Sequence, residues 1–365
     1  MARRSAFRLP AGLVLALGLA WGAAPAPCLA AGAEAAPAFA PPPAAPPTPP
    51  ASDEALRQRF EAVQAATVGV QVRAVEDAPS IATLGRDREG TGVVIAPLGL
   101  VLTIGYLIVE ADQVQITTRE QAQVPAQVVA YDAVTGLGLL RPLFPLPGAQ
   151  PVKLGSAFAA PRGLPLLAIT GAAPRQALPV RLVDIRPFTA YWEYHLDAAL
   201  FTAPAFINHS GAGLFNAQGE LVGIANLLLR DVRPPDDPDA EPGNLFVPVD
   251  VLLPVIDDLV RTGANPQGRR PWLGVNALEL QGRVRILRVT QGSPAHEAGL
   301  RVGDWVSAVD GEEVRTLEGF YKRVWAHPPG QAGLNLTVQD EGASRRVIDV
   351  PVRARADAMA RPKGI

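Results

Sequence analysis

Between Thr67 and about Val249 the chain is written in short runs that alternate apolar and polar residues: VGVQVRAV, TGVVIAP, QVQITT, AQVVAYD, LLAIT, LPVRLVDI and GELVGIANLLL. Alternation of period two puts successive side chains on opposite faces of a strand. Turn residues recur about every 8 to 12 positions, which predicts a β-sandwich or a pair of barrels. Residues 249–262 switch to a helical period and are expected to close this unit as one amphipathic helix. Residues 52–65 read as a second short helix, with Ser52 as its N-cap. The stretch GANPQGRRP (263–271), carrying Arg269 and Arg270, is a linker. A second unit follows over 272–355, with strands VRILRV, DWVSAV and LNLTVQD, a short helix over 294–299 and a longer one over 317–326 capped by Thr316. Residues 356–365 are a polar tail.

The start of the chain has a different design. Arg3, Arg4 and Arg8 precede an apolar run over 9–22, and Cys28-Leu29-Ala30 or Leu29-Ala30-Ala31 supplies a small-residue cleavage site. This is the layout of an export signal over residues 1–30. An uncleaved inner-membrane anchor is the alternative, but Pro10, Pro25 and Pro27 interrupt a span that needs roughly 20 apolar residues. Residues 31–53 are almost wholly Ala and Pro, the composition of an extended tether. Cys28 is the one cysteine in the sequence, so a processed chain has neither disulfides nor thiol chemistry. Hydrophobic residues at 48% of 365 are ample for two cores, and a formal net charge of −2 argues against a nucleic-acid binder.

Within 272–355, Trp272-Leu273-Gly274-Val275, Gly292-Ser293-Pro294-Ala295, Ala298-Gly299-Leu300, Gly303-Asp304 and Val309-Asp310-Gly311 occur in an order that resembles the PDZ domains of bacterial proteases. The resemblance implies an α+β unit in which the backbone N–H groups of Leu273, Gly274 and Val275 receive a peptide carboxylate while the next strand pairs with the peptide. Leu317, Phe320, Tyr321 and Val324 recur at helical spacing. Phe320 and Val324 belong either to the groove or to the core.

Residues 58–262 resemble the trypsin-like domain of HtrA/DegP-type serine proteases. The resemblance rests on Gly90-Thr91-Gly92-Val93-Val94-Ile95, Val101-Leu102-Thr103, Asp132-Ala133-Val134-Thr135, Ser210-Gly211, the run from Gly219 to Ile224, and the closing GNLFVP. It implies a mainly β fold, a double six-stranded barrel followed by the PDZ domain, and assembly as a homotrimer by family analogy. In the family pattern the catalytic His falls on Tyr106, the Asp on Gly136, and the nucleophile on Ser210. The oxyanion glycine before the nucleophile falls on Asn208, and a second glycine after it on Ala212. A serine hydroxyl without a base is a weak nucleophile. Loss of the base alone costs roughly 10⁶-fold in turnover, about 8 kcal/mol of barrier.

Other residues offer little replacement. His209 adjoins Ser210 in a loop, and His195 with Asp197 would share one strand face as an improvised dyad. His195 and His209 lack a third ligand spaced for a metal. His327 reads as a helix-end residue. Tyr191-Trp192-Glu193-Tyr194, the densest aromatic stretch, reads as core or interface packing or as the lining of a peptide groove, and the acidic loop 231–241 as a solvated insertion. The expectation is a periplasmic pseudoprotease that needs no cofactor or metal and holds polypeptide C-termini or unfolded envelope proteins through its PDZ domain. An active serine endopeptidase of envelope quality control with a non-standard base, and a metal-binding adaptor, are the competing readings.

Overall fold

The computed structural model describes residues 53–360, apart from 97, 159–161, 236, 238, 329–332, 341 and 343. The export signal, the Ala/Pro tether and Ser52 lie outside the described residues. Helix α1 (Asp53–Ala66) leads directly into β1 (Thr67–Ala74), turning in Val63 and Ala66. The first barrel continues with β2 (Asp87–Ile95), β3 (Leu100–Ile104), β4 (Ala111–Thr117), β5 (Gln123–Tyr131) and β6 (Leu137–Pro142), closed in the order β1-β2-β3-β6-β5-β4. The second contains β7 (Pro165–Ile169), β8 (Ala177–Ala190), β9 (Tyr194–Ala203), β10 (Gly213–Phe215), β11 (Leu221–Leu229) and β12 (Gly243–Pro248), closed as β10-β11-β12-β9-β8-β7. Closure removes the sheet edges that would otherwise pair with other chains.

The runs singled out by their alternation form these strands, and their apolar positions pack one core that joins the barrels. Val70, Val93, Ile104 and Ile116 come from the first, and Phe201, Phe215, Ile224 and Leu245 from the second. The barrels also meet backbone to backbone. A Cβ on Gly171 would lie 2.0 Å from the Val68 carbonyl oxygen, and one on Gly69 3.1 Å from the Gly171 carbonyl oxygen. The Gly171 N–H donates to Thr91 Oγ1 across the same seam.

The helix expected over 249–262 is broken. A 3₁₀ turn (Val249–Val251) is followed by irregular turns and then a two-turn helix (Ile256–Thr262) ended by Gly263 in the left-handed conformation. Pro254 is the physical reason, since a proline disfavours helical geometry in the residue before it and cannot donate in a helix interior.

The C-terminal unit is a sheet ordered β13 (Val275–Leu280), β14 (Arg283–Val289), β15 (Trp305–Val309), β17 (Gly333–Gln339) and β18 (Arg345–Pro351), with β16 (Glu312–Glu313) paired to β15. Ser293 caps the short helix Pro294–Glu297 and Thr316 caps the longer Leu317–Trp325, here the PDZ helix. Leu317, Phe320, Tyr321 and Val324 form its buried stripe at i, i+3, i+4 and i+7. Among the described residues no helix is long and apolar enough to cross a membrane.

Candidate functional site: a serine loop at the barrel seam and a carboxylate held by three amides

Strand β3 ends in a single helical turn, Gly105–Ile108, which places Tyr106 over the loop that carries Ser210. The Tyr106 hydroxyl donates to Ser210 Oγ at 2.8 Å and lies 3.2 Å from the Asn226 carbonyl oxygen. A phenol has one proton. When it turns to the carbonyl, the Ser210 hydroxyl can donate to the phenolic oxygen in its place. The chain of hydroxyls therefore ends on an amide carbonyl, which takes no proton near neutral pH. Burial pushes the Tyr106 phenol up to about 12, against the opposing effect of its bond to Ser210. Tyr106 thus meets Ser210 as a neutral hydroxyl.

Gly136 lies in the turn that follows Asp132 and has φ +77°. A Cβ there would sit 2.7 Å from the Tyr194 hydroxyl and 3.0 Å from its ring. Tyr194, buried by its own account, donates to the Thr135 carbonyl oxygen at 2.8 Å. The space beside Gly136 is filled by a phenol from β9. Asp132 instead organises the turn, accepting from Val134 N–H, Thr135 N–H, Thr135 Oγ1 and Asn265 Nδ2.

The nucleophile loop is tied down by backbone bonds. Thr91 N–H donates to the Ser210 carbonyl oxygen, and Gly211, at φ +76°, donates to the Ala225 carbonyl oxygen. Asn208 is exposed. Burial pulls the His209 imidazole below its ordinary value, so it is neutral at pH 7. Its Nδ1 is buried without a hydrogen-bond partner. Beside this loop an open apolar depression of about 670 Å³ is lined by Leu178, Phe206, Ile207, Leu228 and Leu229.

Arg88 supports Tyr106 from behind. The residue is 7% exposed, and its guanidinium donates to the carbonyl oxygens of Gly85, Tyr106 and Val109 and to Ser80 Oγ. Arg88→Ala orphans four acceptors, and denaturant melts are expected to show a loss of about 3 kcal/mol. Lysine, with one point of charge in place of a planar fork, is expected to recover less than half of it.

His195 and Asp197 do share a strand face, with Nε2 and Oδ1 3.1 Å apart, but their other contacts lead away from the serine loop. His195 Nδ1 bonds Thr189, and Glu318 on the PDZ helix lies 3.7 Å from Nε2. Glu318 thus supplies the third ligand type that the sequence did not place there. Lys322 Nζ, 2.8 Å from both carboxylates, already supplies the cation. His327 follows the PDZ helix and bonds Asp310.

The PDZ groove is the second feature. The amides of Leu273, Gly274 and Val275 do converge, and a carboxylate sits in them. Glu193 accepts from Leu273 N–H at 2.9 Å, Gly274 N–H at 2.7 Å and Val275 N–H at 3.0 Å. Burial pushes the Glu193 carboxyl up, outweighing the three amides and the nearby charge of Arg355. Trp192 bridges antiparallel to Asn276, and the Tyr191 carbonyl oxygen accepts from Ala277 N–H at 2.8 Å. Tyr321 reaches the same oxygen from the PDZ helix at 3.1 Å. Phe320 and Val324 are buried in the core of this unit, while the Tyr321 hydroxyl and the Leu317 N–H reach the β13 edge and the segment paired to it. The Tyr191–Tyr194 stretch packs at an interface, its first three residues lying along 273–277. Nothing in its local pattern names either partner, Gly136 or the Leu273–Val275 amides.

Two six-stranded barrels with a serine loop at their seam, followed by a sheet with a carboxylate-binding turn, define a trypsin-like peptidase domain joined to a PDZ domain. Family models agree: residues 90–224 match the trypsin-like peptidase domain and 271–350 the PDZ domain. The chain is accordingly of the HtrA/DegP type, with one PDZ domain. It is 25% identical over 268 residues to a probable periplasmic serine endoprotease DegP-like of Hahella chejuensis, covering 66% of this chain and 52% of that one. It is also 25% identical over 309 residues to the serine protease PepD of Mycobacterium tuberculosis, covering 77% and 65%. The chain therefore spans about half to two thirds of these relatives' lengths. Among solved structures, the HtrA-type protease AlgW with decapeptide shares the fold at TM-score 0.51 and 19% identity, over 82% of this chain and 98% of that one. The serine endoprotease from Yersinia pestis does so at TM-score 0.51 and 20% identity, over 84% and 98%.

Proposed function

We propose that the chain is a pseudoprotease of the cell envelope, a rigid barrel pair carrying a PDZ domain that holds polypeptide C-termini. The observation that carries this reading is the bond between the Tyr106 hydroxyl and Ser210 Oγ, with Tyr194 filling the space beside Gly136. Without a base the serine proton has no destination, and general-base catalysis, worth 10²–10⁴-fold by itself, is lost along with nucleophile activation. Peptide binding is supported by the carboxylate held in the Leu273–Val275 amides. The decapeptide carried by AlgW in a shared fold points the same way. An envelope location is supported by relatives named periplasmic.

The test uses purified full-length protein, a serine-reactive fluorophosphonate and an unfolded substrate, beside Ser210→Ala. The expected result is equal, background-level labelling and cleavage in both. Labelling of Ser210 that disappears in the variant would establish a working nucleophile and end this reading.

A further inference from the structure

We propose that the tip of the β8–β9 hairpin, Tyr191-Trp192-Glu193, is a tethered ligand of the PDZ groove, and that a polypeptide C-terminus enters only by displacing it. The inference rests on reading the groove as a peptide site and specifies how that site is controlled. Three observations converge. The tip has the polarity of a C-terminal peptide: Glu193 lies at the Leu273–Val275 amides and Tyr191 further along β13, antiparallel to it. Its main chain adds to the edge of β13 through the Trp192–Asn276 bridge and the Ala277 N–H bond to Tyr191, which is β-augmentation from within the molecule. Its carboxylate takes all three amides, including that of Gly274, whose φ of +80° turns the peptide planes inward. A Cβ at Gly274 would lie 2.2 Å from Ser293 Cβ, so glycine is required to form the nest.

The occupant also has a reason to leave. Burial disfavours the charged Glu193 carboxyl more than its donors favour it. What the tip has over a free peptide is covalent attachment, which sets its effective concentration. A peptide that brings its own terminal carboxylate and more side chains into the groove competes on those terms. If the tip is closed about 99% of the time, the apparent affinity for a free peptide is about 100-fold weaker than that of the open groove.

The experiment measures fluorescence anisotropy of a library of labelled peptides with free C-terminal carboxylates, and of their C-terminally amidated versions. It uses the full-length protein and its Glu193→Ala and Glu193→Gln variants. Hydrogen exchange of the amides of 273–275 is followed in parallel. Glutamine keeps the size of the side chain but faces an amide N–H with a second donor, so it carries the test where the alanine variant does not fold. The expected result is at least tenfold tighter binding of free-carboxylate peptides by the variants, little binding of amidated ones, and faster exchange at 273–275. Equal peptide affinity in wild type and variants, with exchange unchanged, overturns the tethered ligand and leaves the groove reading standing. If no peptide binds any form, the groove reading fails and the tethered ligand with it, whatever the exchange rates at 273–275.

Discussion

A molecule carrying both Tyr106→His and Gly136→Asp is expected to remain proteolytically silent. The histidine would stand over Ser210, because its turn and the Arg88 scaffold are already in place. The aspartate would not reach its station. Its Cβ would fall 2.7 Å from the Tyr194 hydroxyl, at a backbone φ of +77°. A non-glycine residue in that region bears a strain of about 1–2 kcal/mol before any clash is counted. A triad that keeps its histidine but lacks the orienting carboxylate typically retains only about 10⁻⁴ of its turnover. Adding Tyr194→Ala should raise fluorophosphonate labelling of Ser210 at least a hundredfold over the double variant. It should also lower stability by about 3–5 kcal/mol, the usual penalty for emptying a buried aromatic site. Labelling rates and denaturant melts on the single, double and triple variants check both halves. Full activity in the double variant would mean that Tyr194 moves aside freely.

The seam between the barrels sets the second large effect. Gly171→Ala puts a methyl group 2.0 Å from the Val68 carbonyl oxygen, against backbone that belongs to β1 and cannot rotate away. Overpacking in a dense interior costs about 1–3 kcal/mol and occasionally more. With main chain on both sides the expectation is about 3 kcal/mol, a drop in melting midpoint of roughly 6–12 °C for a unit of this size. Gly69→Ala, whose methyl would meet the Gly171 carbonyl oxygen at 3.1 Å, is expected to cost about 1 kcal/mol. Differential scanning calorimetry of the two variants gives the comparison directly.

The alternation of runs such as VGVQVRAV and GELVGIANLLL carried the strands, because a strand's two faces are written in neighbouring residues. Tyr106, Gly136 and Ser210 were legible as positions because each sits beside a motif of its own. The helix over 249–262 was misjudged in length, its apolar period running on through a proline that the backbone could not accommodate. What local pattern could not supply was the pairing of distant segments. Tyr194 is a β-strand aromatic like many others until Gly136 is brought to its hydroxyl. Glu193 is an acidic residue at a hairpin tip until three amides from the next domain surround it. The same holds for Arg88, whose carbonyl partners come from Gly85, Tyr106 and Val109, with Glu110 adding charge beside the last of them.

Glu193 and Tyr194 are consecutive, yet the first serves the PDZ domain and the second the space beside Gly136. One peptide bond separates the two contacts, so a displacement of the hairpin tip that carries the backbone at 193 bears on the packing of Tyr194 as well. Thermodynamics then makes the relation reciprocal. On the tethered-ligand proposal, free energy that a groove ligand spends in moving that backbone is shared with the packing of Tyr194, and a substitution that loosens Tyr194 is expected to change groove affinity. In engineering terms, residues 193 and 194 are one design position with two addresses, and a designer who edits either plans for both.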